Sequence, residues 1–228
     1  MRAVPALPGP GRQCLELTRK DLRLELRAGE AFLVTAPFGA VALLLVPMAI
    51  GTDTPMLRQV GPGLYWVVVL LFGVLVTVRQ SAVDTPAQLA VLRLCGVPAA
   101  ARIAARALAN TVLLLGFEAV LLPVAIALYN PDLAGWPWLL PAFGLVAVGI
   151  GLLGALASAL AHGLAGRTTL APLLVVPVAL PLLLAATQIQ EAARFGASPW
   201  PWLLLLLTAD LTAVFAVAVL APHLEEVA

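Results

Sequence analysis

Glu118 interrupts the apolar run LLLGFEAVLLP near its middle, where a charge costs several kcal/mol unless it faces a partner or water. Asn110, two turns earlier, lies within about 80° of it around a helix. A carboxyl group beside an amide can be kept protonated and hydrogen-bonded inside a bundle, or it can line a pathway or a moving interface. The residues leave both readings open. Asp210, in LLLLLTADLTAV, raises the same question, with the hydroxyls of Thr208 and Thr212 near enough to bond it. The histidines, His162 and His223, have no carboxylate or cysteine at ligand spacing, so a polar interface role is their default over ligation of a metal or haem iron. Cys14 and Cys95 form no metal-type pair. The sole lysine, Lys20, follows LELTR rather than a glycine-rich loop, so ATP cannot be held here by a P-loop and ATP-driven work needs a separate subunit. The spacing yields no catalytic constellation and no metal site.

The elements carrying these residues must face lipid. Of 228 residues, 62% are hydrophobic and 11% charged, more apolar surface than a soluble domain of that length can hide. A net charge of +1, with no basic patch interleaved with aromatics, gives no sign of nucleic acid as a partner. The first thirty residues lack the short apolar core of a signal peptide, so the N-terminus is expected to stay in place. Six apolar segments follow, at 31–50, 62–79, 104–128, 137–161, 170–190 and 201–221. Most are near the twenty residues that span a bilayer as helices, and the second borrows a turn from each flank.

Charge sets the orientation. Arg2, Arg12, Arg19, Lys20, Arg23 and Arg27, then Arg79, Arg93, Arg102 and Arg106, then Arg167, make eleven cations on one side against Arg58 and Arg194 on the other. The positive-inside rule places both termini in the cytoplasm. Trp136, Trp138, Trp200 and Trp202 then fall at the outer interface. In the N-terminal segment Leu22, Leu24 and Leu26 alternate as in a strand, while Leu15, Leu22 and Leu26 share one helical face. A lone strand has no partner, so a helix along the inner membrane surface is expected. In the fourth span Ala147, Gly151, Ala155 and Ala159 recur every four residues, a stripe that lets a neighbouring helix approach closely. The fifth carries Pro172, Pro177 and Pro181, which predict a bent helix with freed carbonyls.

Between the second and third spans, DTPAQLAVLRLCGVP (residues 84–98) carries its own start and stop signals. Thr85 can N-cap a helix and Pro86 suits its first turn; Gly96 can end it in a left-handed conformation and Pro98 bars continuation. About ten helical residues span roughly 15 Å, half a bilayer core, so this helix sits in the cytoplasm.

In order, GPGLYWVVVLLFGVLVTVRQ (61–80), this capped segment, LLLGFEAVLLPVAIALYN and LLVVPVALPLLLAATQ resemble the haem exporter protein family of cytochrome c maturation known as CcmB, permeases of the ABC-transporter class. The likeness runs from about residue 20 to 220, and departs in RQSAVDTPAQ, which is thinner in charge than the family's run. It implies an all-α integral membrane protein of the bacterial inner membrane, an ABC-2-type bundle of six transmembrane helices over 31–221 between a cytoplasmic segment 1–30 and a tail 222–228. It also implies a homodimer served by a separate ATPase subunit that holds the ATP. The short helix, in a coupling loop at 80–103, would fit a cleft of that ATPase through Arg79, Asp84, Gln88, Leu89, Leu92, Arg93, Leu94 and Gly96. Tyr65, Trp66, Asn110, Glu118, Pro177 and Pro181 are the candidates for a pathway or moving interface. Haem would be the transported or handled ligand rather than a resident cofactor, with cytochrome c maturation membrane subunits and a haem chaperone as further partners. Moving haem across the bilayer and releasing a haem-loaded chaperone both fit. The alternatives are a permease for lipid, polysaccharide or drug, and a non-transporting scaffold.

The charge asymmetry generates a direct test. Cysteine introduced at Thr52 or Asp132 reacts with a membrane-impermeant thiol reagent added outside intact cells, whereas cysteine at Gln88 does not; the reverse pattern overturns the orientation.

Overall fold

A computed structural model describes residues 9–28, 35–51, 53–83, 86–131, 135–163 and 170–226. Within them the chain folds into α1 (Pro10–Ala28), α2 (Thr35–Ile50), α3 (Thr54–Val83), α4 (Pro86–Leu94), α5 (Ala99–Tyr129), α6 (Trp136–Gly163), α7 (Leu170–Arg194) and α8 (Trp200–Glu226). No strand occurs among the described residues. Five helices contain apolar stretches long enough to cross a membrane: Thr54–Arg79, Ala99–Tyr129, Trp136–Ala161, Val175–Arg194 and Trp200–His223. The helix corresponding to the expected first span has 16 residues, about 24 Å against a bilayer core of roughly 30 Å. Residues 31–34, the start of that expected span, lie outside the described residues.

The long helices overrun their expected bounds. The second apolar segment, expected from residue 62, belongs to a 30-residue helix that starts at Thr54 and passes through Pro62. Pro62 frees only the carbonyl four residues back, that of Arg58, an exposed residue near the helix end. At the other terminus α8 passes through Pro222 to Glu226, so the tail expected after residue 221 begins as helix.

The leucine-rich N-terminal segment is helical rather than extended, because a lone strand would leave its backbone groups unpaired. α1 lies against the start of α5. The buried Thr18 hydroxyl bridges the two helices, 2.9 Å from Cys14 O and 3.1 Å from Ala105 O. Leu22 packs on the core, while Leu15 and Leu26 stay exposed on the adjoining strip of α1.

α5 and α6 organise the rest. α5 packs against α1, α2, α3, α6 and α8, and α6 against α3, α5, α7 and α8. The small-residue stripe makes this possible. Ala147 and Ala155 are fully buried, and a Cβ on Gly151 would sit 2.6 Å from Thr111 Oγ1 and 2.9 Å from the Ala107 carbonyl. The Thr111 hydroxyl donates to Ala107 O at 2.8 Å and lies 3.4 Å from Ala147 O on α6. Elsewhere the core is apolar: Phe72 of α3 stacks on Phe117 of α5 with ring centroids 3.6 Å apart, and Ile150, Ile189 and Leu206 bring in α6, α7 and α8.

The close approach is testable by adding one methyl group. At Gly151 the obstructing atoms include backbone, which cannot swing aside, so Gly151→Ala should destabilise the bundle by about 1–3 kcal/mol. Gly144, on the same helix, has nothing within 4 Å of its added Cβ, so Gly144→Ala should leave stability unchanged or raise it by up to about 1 kcal/mol. Thermal unfolding of the purified chain in detergent reads both; equal effects would show that the α5–α6 contact is looser than described.

Candidate functional site

Apart from Pro177 and Pro181 of α7, the residues singled out for function fall in three places along α5: its start, its middle and its far end. At the start, α4 closes in the turn that Gly96 permits. Gly96 has φ +71°; its N–H donates to Arg93 O at 2.8 Å, and that of Val97 to Leu92 O at 3.1 Å. This pair of bonds is the Schellman motif, which satisfies carbonyls left over at a helix end. Arg102, one turn into α5, donates from Nη1 to Val97 O at 2.7 Å. Pro98 is the extended N-cap of α5, with φ −67° and ψ 150°. The turn therefore fixes α4 to α5 without slack.

Among the described residues α4 makes no extensive contact with another helix. Leu94 is 88% exposed and Val91 57%, and three residues apart they lie within about 60° of one another on one face. Gln88 and Gly96 are exposed, while Leu92 and Arg93 are half-buried. Arg93 Nε is buried with no hydrogen-bond partner among the described residues. Arg79 sits 3.8 Å from Glu25, a long ion pair between half-buried side chains of α3 and α1. Asp84 and the expected cap Thr85 lie outside the described residues, as does the side chain of Leu89.

Half-way along α5, Asn110 and Glu118 both face inward, 2% and 3% exposed. Among the described residues no hydrogen bond reaches either carboxyl oxygen of Glu118 or either side-chain polar atom of Asn110. Asp210 of α8 is equally buried, and its carboxyl lies over Gly149 of α6, where an added Cβ would be 2.6 Å from Oδ1. The threonines expected to bond it do not. Thr208 donates to Leu205 O and Thr212 to Thr208 O, and both Asp210 oxygens lack a partner among the described residues. A hydroxyl in a helix reaches its own preceding turn more readily than a neighbour two residues away.

At the far end Tyr65 and Trp66 of α3 meet Phe143 of α6. Their rings lie 5.2–5.9 Å apart by centroid, within the range of favourable aromatic pairs. Tyr65 donates its hydroxyl to the backbone carbonyl of Glu118 at 3.1 Å, and Tyr129 donates to Leu43 O at 2.5 Å. Tyr65, Trp66, Tyr129 and Phe143 help enclose a cavity of about 40 Å³. The other proposed pathway residues lie elsewhere: Pro177 and Pro181 are on the exposed side of α7 and line neither this cavity nor the larger one beside it. A proline places its freed carbonyl on its own side of the helix, so these two open towards the surroundings rather than inward.

Sequence reasoning missed Arg102, Phe143 and Tyr129. Arg102 had a signal, a cation one turn past Pro98; the two aromatics look like ordinary apolar-run residues and only the packing shows their role. Of the other polar candidates, His223 is exposed, with Nδ1 3.1 Å from Val219 O. The side chain of His162 lies outside the described residues. Cys14 and Cys95 are both free thiols.

A family model described as CcmB protein matches residues 12–225. Heme exporter protein B of Paracoccus denitrificans (strain Pd 1222) is 31% identical over 191 residues, 82% of this chain and 86% of the relative. Heme exporter protein B of Haemophilus influenzae is 31% identical over 181 residues, 78% of this chain and 81% of that protein. The Rhodobacter capsulatus protein of the same name is 30% identical over 182 residues, covering 79% and 83%. The match takes in α1, the capped helix and all five long apolar helices, and on that extent the chain belongs to the CcmB family.

Proposed function

We propose that this chain is the permease subunit of an ABC transporter in haem delivery for c-type cytochrome assembly, with ATP bound and hydrolysed on a separate subunit. Its relatives are named heme exporter protein B, which supports haem as the handled substrate. The expected first apolar segment, 31–50, is the first of six spans, and the excess of cations around α1, α4 and the start of α5 supports both termini in the cytoplasm. The membrane is then the bacterial inner membrane, and two copies of this chain form the transporter with two ATPases.

The observation that carries this reading is α4: a helix with an exposed apolar face at Val91 and Leu94, joined by its Gly96 turn and by Arg102 to the helix that holds Glu118. An ATPase cleft that grips Leu94 and Val91 gains roughly 1.5–3 kcal/mol per buried side chain before ordering costs. Because the turn has no slack, closure of the ATPase is passed along α5 rather than absorbed. Inside the bundle, a buried carboxyl with no partner is costly in this arrangement and becomes less so if the helices shift to bring it one. Glu118 thereby favours a second arrangement that ATP hydrolysis can drive.

Haem handling is mechanical on this view. The cavities at the far end hold about 40 and 200 Å³, below the roughly 300–1,000 Å³ of small-molecule pockets. Haem is held by a neighbouring maturation protein, and hydrolysis drives its transfer to, or release with, a haem chaperone.

Leu94→Asp should abolish co-purification of the ATPase and cytochrome c maturation while the chain still inserts. Leu92→Asp, on the half-buried side, should act mainly on the chain's own stability. Normal ATPase recovery and normal maturation in Leu94→Asp would rule out α4 as the coupling element. Glu118→Gln keeps the volume and most hydrogen-bonding capacity of the side chain. Expression of that variant should be normal and maturation reduced several-fold; unchanged maturation would leave Glu118 a structural residue.

A further inference from the structure

The end of the bundle opposite α4 has a polar mouth that the coupling role does not use. Between the first turns of α3, the last turns of α7 and the chain after α5 lies an open cavity of about 200 Å³. Arg58 and Gln59 line it from α3, and Thr187, Gln190, Glu191 and Arg194 from α7. Among the described lining residues, one glutamate against two arginines leaves a single net positive charge. Among the described residues neither arginine makes an ion pair, although these are the only cations the sequence places on this side.

Three further features say what would sit there. The mouth shares Pro62, Pro131 and Gln190 with the 40 Å³ aromatic cavity, so polar and apolar compartments adjoin. The lining of that inner compartment includes Trp66, 1% exposed, whose indole Nε1 has no acceptor among the described residues. Buried donors are rarely left so. Lastly, Arg194 lies 5.5 Å over the ring of Phe195, which is 71% exposed. Trp138 and Trp200 meet at the same end with centroids 5.4 Å apart, the pattern of side chains at the headgroup level of a membrane.

We propose that this mouth binds the headgroup of an anionic phospholipid. Arg58 and Arg194 hold the phosphate by charge-assisted hydrogen bonds. The Trp66 N–H is the donor for a less charged oxygen further in, such as an ester carbonyl. The acyl chains leave over Phe195 and the exposed apolar surface. The volume suits a headgroup, and a purely aqueous anion would gain nothing from the aromatic compartment. The site is independent of the proposed ATPase contact, being at the other end of α3 and α5, so failure of either reading leaves the other standing.

The test uses the full chain in a neutral maltoside detergent, with palmitoyl-oleoyl phosphatidylglycerol titrated in and bound lipid counted by native mass spectrometry. We expect one tight lipid per chain, whose affinity falls at least about tenfold in Arg58→Gln/Arg194→Gln and is largely kept in Arg58→Lys/Arg194→Lys. Both arginines are exposed, so the thermal unfolding temperature should not change. Arg19→Gln/Arg23→Gln, on the exposed face of α1 at the other end, removes the same charge and should leave the tight lipid in place. Trp66→Phe should weaken that lipid alone. An equal loss in the α1 and mouth variants, or no loss in the mouth variant, overturns the proposal. Displacement of the lipid by inorganic phosphate at concentrations comparable to the lipid's own would assign the mouth to free phosphate, and overturns it as well.

Discussion

The contact between α5 and α6 is the constraint on which the rest of the structure depends. Lipid tails are as apolar as leucine, so helices in a bilayer are not pushed together by water. They associate where small side chains let backbones approach and make many van der Waals contacts. Ala147, Gly151 and Ala155 supply that surface on α6, and Thr111 and Ala107 occupy it from α5. With this seam closed, α3, α7 and α8 have a rigid pair to pack against, and the aromatic pairs Phe72–Phe117 and Trp66–Phe143 fall into register.

A seam of this kind turns α5 into a strut. It runs 31 residues without a break despite Pro123. Its start is locked to α4 through the Gly96 turn and Arg102, and its end is tied to α2 by the Tyr129 hydroxyl. In the proposed coupling, a displacement at α4 reaches the middle of the bundle and its far mouth through this one element. Flexible connections would dissipate it, which is why two backbone hydrogen bonds at a helix end matter more to the proposed coupling than a longer loop would.

Against this rigidity stand Glu118, Asn110 and Asp210, whose buried polar atoms lack partners among the described residues. Each unsatisfied group costs about 1–3 kcal/mol, more if charged. A fold that retains three of them next to glycine-lined seams holds one arrangement at a cost that another can relieve. Asp210 lies on Gly149 and Asn110 near Gly154, where an added Cβ on either glycine would clash, so these groups sit in tightly packed seams. The unpartnered polar groups and the close helix contacts coincide, and the proposed moving interface rests on the cost of those groups.

Much of this was present in the sequence because it is local. Hydropathy alone marks the long helices, since a chain this apolar has lipid for solvent. The stop signal at Gly96 reads directly, because only a left-handed turn ends α4 there. The four-residue repeat of small side chains announces a close helix contact. Tertiary structure decided what local rules cannot reach. It made Pro62 and Pro222 interior to helices rather than boundaries, because freed carbonyls are tolerated near helix ends. It turned Pro177 and Pro181 to the exposed side of α7, away from the two far-end cavities. It withheld from Asp210 the threonines beside it, which bond their own preceding turns instead. And it set Arg58 and Arg194 around one cavity, and Trp66 against Phe143, across more than seventy residues of chain. Pairings at that distance depend on how whole helices pack, and no periodicity within one helix encodes them.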